Sequence, residues 1–279
     1  MNVSGTGALP KLSLLVSDVD GTLVTKDKVL TERTRRAVEK LYAAGIKFAI
    51  TTSRPPKGMS MFVQPLKLSA PLGAYNGGMI VRPDLTVISA NNLPRSVGKG
   101  VIEIINAHSL GIWVYIGNDW FVLSGHEQYV EREQFVIQMA PRIVTNFDDM
   151  QGDPGKIVAV SDKFELVAQC EKEVQKKFGA QVAASRSQPQ YLDITHPEAN
   201  KGMFIEALLR YFSIDESAVA TIGDGGNDVS MFKRSALSIA MGNASDEVKK
   251  QATYVTDSNE DDGFAKAVEK YILGALVSP

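Results

Sequence analysis

Cysteine is nearly absent. Cys170 is the only one among 279 residues, so no disulfide can close within the chain. It lies in a helical-looking stretch, Phe164 to Phe178, with no motif nearby, and a packed side chain suits it better than a reactive thiol. Long apolar runs are missing too. No stretch approaches the length of a membrane span. At the amino terminus Leu12 to Val16 is a short apolar run that meets an aspartate, which reads as a strand and not as a signal peptide. A cytoplasmic protein is therefore expected, with no membrane partner. Neither sign of charge is in surplus: 30 basic against 32 acidic residues give a formal net charge of −2. That balance gives no support to a nucleic-acid partner or a disordered acidic tail. His108, His126 and His196 are scattered without ligand spacing, which argues against zinc. Internal repeats and low-complexity segments are also lacking.

What remains is a chain with 44% hydrophobic residues, enough to bury a sizeable core. Leu12–Ser17 predicts a buried strand that ends in Asp18. Thr31 to Ala44 carries Ala37, Val38 and Leu41 at helical spacing, with Thr31 as N-cap and Gly45 as stop. Lys47–Thr52 predicts a second strand. A strand, helix, strand series argues for a parallel α/β sheet, where ligands sit beyond the carboxyl ends of the strands. The middle of the chain reads differently. Asn76-Gly77-Gly78 and Gly117-Asn118-Asp119 each separate two short apolar runs, as hairpin turns do. Helices are expected near Val97–His108, Glu127–Met139 and Phe164–Phe178, with strands at Ile157–Val160, Gln181–Ala184 and Tyr191–Thr195. The parallel pattern returns with a helix at Lys201–Phe212, a strand at Ala218–Gly223, a helical Asn227–Ser235, a strand at Leu237–Ala240 and a closing helix at Asp262–Leu273. The fold class that follows is α/β: a Rossmann-like parallel sheet core from residues 1–83 and 193–279, interrupted by an α+β cap over 84–192.

Asp18, Asp20, Asp224 and Asp228 all lie at or just beyond predicted strand ends. Such a carboxylate cluster is unfavourable unless a cation neutralises it. Hard oxygen donors without histidine or cysteine suit Mg²⁺, which keeps several waters and bridges to substrate phosphate. Lys201, with backbone amides after Asp18 and around Ser53, offsets a phosphate's charge. The combination fits phosphoryl transfer, where catalysis is mostly positioning and electrostatics. Taken singly, each element has a plainer reading. Asp18-Val19-Asp20-Gly21-Thr22 also suits a surface turn, Thr52-Ser53-Arg54 a helix cap, Gly223-Asp224-Gly225-Gly226 a loop, and Lys201 a solvated helix start. Their order, strand-end placement and long spacing carry the argument together.

In that joint pattern the chain resembles the haloacid dehalogenase superfamily of phosphotransferases, and within it the Cof-type subfamily, class IIB. Asp18-Val19-Asp20-Gly21-Thr22-Leu23 is similar to the first family motif and Thr52-Ser53-Arg54 to the second. Lys201-Gly202 is similar to the third, and Gly223-Asp224-Gly225-Gly226-Asn227-Asp228 with Met231 to the fourth. Ser53 departs from the subfamily, which usually has glycine there. The resemblance implies that Asp18 is the nucleophile and a Mg²⁺ ligand, and Asp20 the general acid/base with its carbonyl on the metal. It implies that Thr52 and Ser53 hold phosphate, Lys201 balances charge, Asp224 completes the metal ligands and Asn227 touches phosphate. Asp228 then orients Lys201 or a metal-bound water. The expected activity is Mg²⁺-dependent hydrolysis of a small phosphorylated metabolite, a sugar phosphate foremost, with the cap selecting the leaving group. A sugar phosphomutase and a non-catalytic phospho-metabolite-binding regulator are the alternatives.

Overall fold

The computed structural model describes residues 12–148 and 150–274. Within them the chain forms two compact units. One takes the residues up to Thr51, Pro65–Ala70 and those from Ile205 onward; the other takes Thr52–Gln64 and Pro71–Phe204.

The first unit is built on a five-stranded, wholly parallel sheet. Across it the strands run Tyr254–Val255, Leu237–Ala240, Val219–Gly223, Leu14–Ser17 and Lys47–Ile50. The two central strands are apolar and completely buried, as expected where both faces are covered. From Leu14–Ser17 the chain moves outward to Lys47–Ile50 on one side, and the later strands build on the other. The order therefore reverses between Leu14–Ser17 and Val219–Gly223, which marks that crevice as the ligand position of an open α/β sheet. The helix Glu32–Ala43 starts where the sequence places it, with the Thr31 side chain accepting the Thr34 N–H at 3.1 Å, and it buries Ala37, Val38 and Leu41. Two elements differ from expectation. The Asn227–Ser235 stretch is a 3₁₀ turn, Gly226–Asp228, followed by a single α turn, Val229–Phe232. The closing helix widens into a π-helical stretch at Val268–Leu273.

The second unit contains a six-stranded sheet that is antiparallel except for its last pair. Its strands run Ala183–Gln188, Tyr191–Thr195, Lys156–Val160, Gly111–Ile116, Asp119–Val122 and Arg142–Ile143. Alternation divides its residues by face. Ile112, Val114, Ile157, Ala159, Leu192 and Ile194 pack against the helices Arg95–Ala107 and Phe164–Phe178. Cys170 belongs to this apolar layer, and burial pushes its thiol up to about 12. The opposite parity places Trp113, Tyr115, Lys156, Tyr191 and Asp193 on the other face. There the rings pack together, with Trp113 and Trp120 at 5.4 Å and Tyr115 stacked on Trp120 at 5.9 Å.

A separate three-stranded sheet joins Leu72–Ala74, Met79–Val81 and Val87–Ala90. The turn at Asn76 is longer than a two-residue hairpin, since Ala74 pairs with Met79 across it, and Tyr75 and Asn76 both adopt left-handed backbone, φ 51° and 58°. Gly77 has φ 90°, and a Cβ there would stand 2.9 Å from the Asn200 carbonyl oxygen. Only glycine lets this turn lie against the segment that leads into Lys201.

Candidate active site

Adjacent central strands deliver the first unit's acidic residues. Ser17 is level with Ile222 in the parallel register, and the Asp18 N–H donates to the Ile222 carbonyl at 2.9 Å, so Asp18 and Asp224 emerge side by side. After Asp18 the chain folds back at once. The Val19 carbonyl accepts the N–H groups of Thr22, Leu23 and Val24 at 3.3, 2.9 and 3.2 Å. This turn needs Gly21, with φ 86°, and brings its backbone against the Asp224 carboxylate. Thr22 Oγ1 donates to Asp224 Oδ1 at 2.9 Å and Asn243 Nδ2 donates to Oδ2 at 3.3 Å, so both oxygens of Asp224 are held.

Asp228 is fully buried, and its Oδ2 accepts the N–H groups of Asp224 and Gly225 at 2.9 and 2.8 Å. Asp18, Asp224 and Asp228 each offer an oxygen such that all three lie within 4.8 Å of one another. Like charges that close repel by about 3 kcal/mol per pair at an effective dielectric constant of about 20. A cation placed among them removes that repulsion. The donor set is all carboxylate, which fits a hard ion such as Mg²⁺ and not zinc or copper.

Asp20 stands apart from the three. Its Oδ1 pairs with Lys28 Nζ at 2.9 Å, and Lys28 reaches it from a loop residue with left-handed backbone, φ 62°. Asn227 is exposed on the 3₁₀ turn after Asp224.

Thr52, Ser53 and Lys201 belong to the second unit. Thr52 is buried and locked through its main chain, its N–H donating to Gly73 O at 2.9 Å and its carbonyl accepting Asn76 N–H at 2.8 Å. Through Asn76 and Gly77 that loop abuts Asn200, one residue before Lys201. Lys201 opens the helix Lys201–Phe212 and is completely buried, which rules out a merely solvated helix start. Arg54 is buried in a structural setting: its guanidinium donates to Gly58 O at 3.3 Å and stacks over the Phe62 ring.

Several contributors escape the sequence reading. Asn243 donates to Gly21 O at 2.9 Å as well as to Asp224, and it follows a strand end just as Asp18 and Asp224 do, a placement that could have marked it. Thr22 lies inside the first motif without a role assigned to it there, and Lys28 carries no signal beyond its proximity to that motif.

With this geometry in view, the comparisons with known proteins agree with one another. Residues 15–268 match the family model described as haloacid dehalogenase-like hydrolase. A putative phosphatase of Haemophilus influenzae is 28% identical over 256 residues, which cover 91% of this chain and 96% of that protein. A 5-amino-6-(5-phospho-D-ribitylamino)uracil phosphatase of Bacillus subtilis is 25% identical over 288 residues, covering 94% and 99%. The crystal structure of a haloacid dehalogenase-like hydrolase from Bacteroides thetaiotaomicron superposes with a TM-score of 0.87 at 30% identity, covering 93% of this chain and 99% of that one.

Proposed function

The chain belongs to the haloacid dehalogenase-like hydrolases and is a phosphatase, and from that premise we propose that it hydrolyses a small phosphomonoester, foremost a sugar phosphate, through an aspartyl-phosphate on Asp18. The observation that carries this reading is the convergence of Asp18, Asp224 and Asp228 oxygens within 4.8 Å at the reversal point of the parallel sheet.

In the proposed reaction an Asp18 carboxylate oxygen attacks phosphorus, and the bond from phosphorus to the substrate's ester oxygen breaks. Asp20, protonated, gives its proton to that departing oxygen. A water then attacks the aspartyl-phosphate and passes a proton to Asp20, which releases inorganic phosphate and restores Asp18. Lys28 holds Asp20 as an ion pair at 2.9 Å, so the carboxyl must leave Lys28 before it works as an acid. Mg²⁺ would be held by Asp18, Asp224 and the Asp20 carbonyl, where it would offset charge on the transferring phosphoryl group. Asp228, through two backbone amides, keeps the Asp224 loop in place. Thr52, the Ser53 amide, Lys201 and Asn227 would meet the phosphate oxygens, and residues 84–192 would choose the leaving group.

A sugar phosphate is favoured because a relative acts on a phosphorylated ribityl compound. The test is a panel of phosphorylated metabolites assayed for phosphate release with Mg²⁺ and ranked by kcat/KM. Sugar and sugar-alcohol phosphates are expected to lead. A panel led by nucleotides or phosphopeptides would overturn the substrate class, and appearance of an isomerised sugar phosphate without free phosphate would indicate a mutase.

A further inference from the structure

Lys156 is buried without an obvious reason in the catalytic reading. It opens the strand Lys156–Val160, and its side chain is 6% exposed. A buried ammonium needs acceptors to offset its lost hydration. Lys156 has two: Nζ donates to the Ser53 carbonyl at 3.0 Å and stands 3.5 Å from Asp193 Oδ1. The face of the Tyr115 ring lies beneath it at 4.8 Å, a favourable cation–π placement. All four residues belong to the second unit.

The geometry points to Lys156 as a positioning residue for the Thr52 hydroxyl, acting through the single peptide plane between Ser53 and Arg54. This inference rests on the reading of Thr52 as a phosphate-binding residue. The described peptide bonds are all trans, so the Ser53 carbonyl and the Arg54 N–H point in opposite directions from one rigid plane. Lys156 grips the carbonyl side. On the other side the Arg54 N–H donates to Thr52 Oγ1 at 3.3 Å. A hydroxyl oxygen that accepts in this way keeps its own proton for donation elsewhere. The plane's flanks are fixed, with the Thr52 main chain tied to Gly73 and Asn76 and the Arg54 carbonyl accepting the Tyr75 N–H at 3.0 Å, and Lys156 fixes its carbonyl side. The sheet of the second unit thereby orients a donor intended for the substrate's phosphoryl group, although Lys156 itself touches no substrate.

A double-mutant cycle tests this, with p-nitrophenyl phosphate as substrate and inorganic phosphate as inhibitor. Lys156→Met is expected to lower kcat/KM and raise the phosphate inhibition constant by roughly ten- to hundredfold, the worth of one hydrogen bond to a charged group. Thr52→Val should lose a similar factor. The double variant should lose no more than Thr52→Val alone, since both changes remove the same donor. Lys156→Arg, which keeps the charge and donors, should recover most of the activity. Should the methionine variant melt early, Lys156→Gln takes its place in the cycle. Losses that multiply in the double variant, or a Lys156→Met enzyme with wild-type kcat/KM and phosphate inhibition, would overturn the role of Lys156. A wild-type enzyme that released no phosphate from any phosphomonoester would overturn the underlying reading instead.

Discussion

Asp228 and Asp224 are joined through one atom: Asp228 Oδ2 accepts the Asp224 N–H at 2.9 Å and, in the same arrangement, the Gly225 N–H at 2.8 Å. A buried carboxylate thus shapes the turn that presents another carboxylate. Close packing reinforces it, because a Cβ on Gly223 would stand 2.4 Å from the Asp228 carboxyl carbon. Asp228→Ala removes both acceptor contacts and leaves two amides without partners. A loss of about 3 kcal/mol in stability is expected, in line with two charge-assisted hydrogen bonds partly offset by relaxation. Urea unfolding reads this directly, and a loss under about 0.5 kcal/mol, the size of an ordinary surface change, would contradict it.

Asp18→Asn keeps the shape of the side chain and one oxygen but removes the nucleophile. Turnover should fall to background while the melting temperature stays near wild type or rises, because one like charge has left a cluster of three. Phosphate release within about tenfold of wild type, a change of only about 1.4 kcal/mol in barrier, would remove Asp18 from the nucleophile's role.

How much of this was legible in the sequence depends on what each residue's neighbours reveal. The parallel sheet is readable because Leu14–Ser17 and Val219–Gly223 are continuous buried apolar runs that end in aspartate. Val87–Ala90 is not, since all four of its residues are exposed and carry no apolar alternation. Tyr254–Val255 is equally exposed and too short to show a period. Asp18 and Asp224 declare themselves by strand-end position. The burial of Lys201 does not, because depth is set by packing partners distant in sequence. The Lys156 contact spans 103 residues to Ser53, and no local pattern marks a lysine as the partner of a carbonyl so far away.

Gly21→Ala probes the closeness of the first turn to Asp224. At φ 86° an alanine is strained by about 1–2 kcal/mol whatever its surroundings. Its Cβ would also lie 2.4 Å from Asp224 Oδ2, so the carboxylate must move. The variant should be less stable and should need more Mg²⁺ to reach half-maximal activity. An unchanged Mg²⁺ dependence would mean that Asp224 tolerates displacement and is not a ligand.

Chelation tests the same carboxylates without mutation. EDTA should abolish phosphate release and added Mg²⁺ should restore it, since three carboxylate oxygens within 4.8 Å of one another are the hard donors that a divalent ion such as Mg²⁺ takes. Bound Mg²⁺ should also raise the melting temperature in proportion to the logarithm of its concentration above the dissociation constant. Full activity after exhaustive chelation would rule out the metal.

Alkaline pH should weaken the fold through groups buried in their neutral forms. Burial pushes the Cys170 thiol from 9.0 up to about 12, and the Tyr42 and Tyr191 hydroxyls from 10.0 up to about 12. Tyr75 and Tyr115 are raised too, first by burial and then by the nearby carboxylates Asp119 and Glu133. In the unfolded chain these groups lose their protons near their ordinary values, whereas the folded protein keeps them. The native state therefore binds more protons between about pH 9 and pH 12, and stability falls as pH rises through that window. Below about pH 9 the contribution is fully present, so the urea midpoint should be flat from about pH 7 to pH 8.5 as far as these groups are concerned and then decline toward pH 11. The same burial keeps the Cys170 thiol protonated at pH 8, so a thiol reagent should label it only as the protein unfolds. A urea midpoint that held or rose toward pH 11, or rapid labelling of the native thiol, would contradict this account.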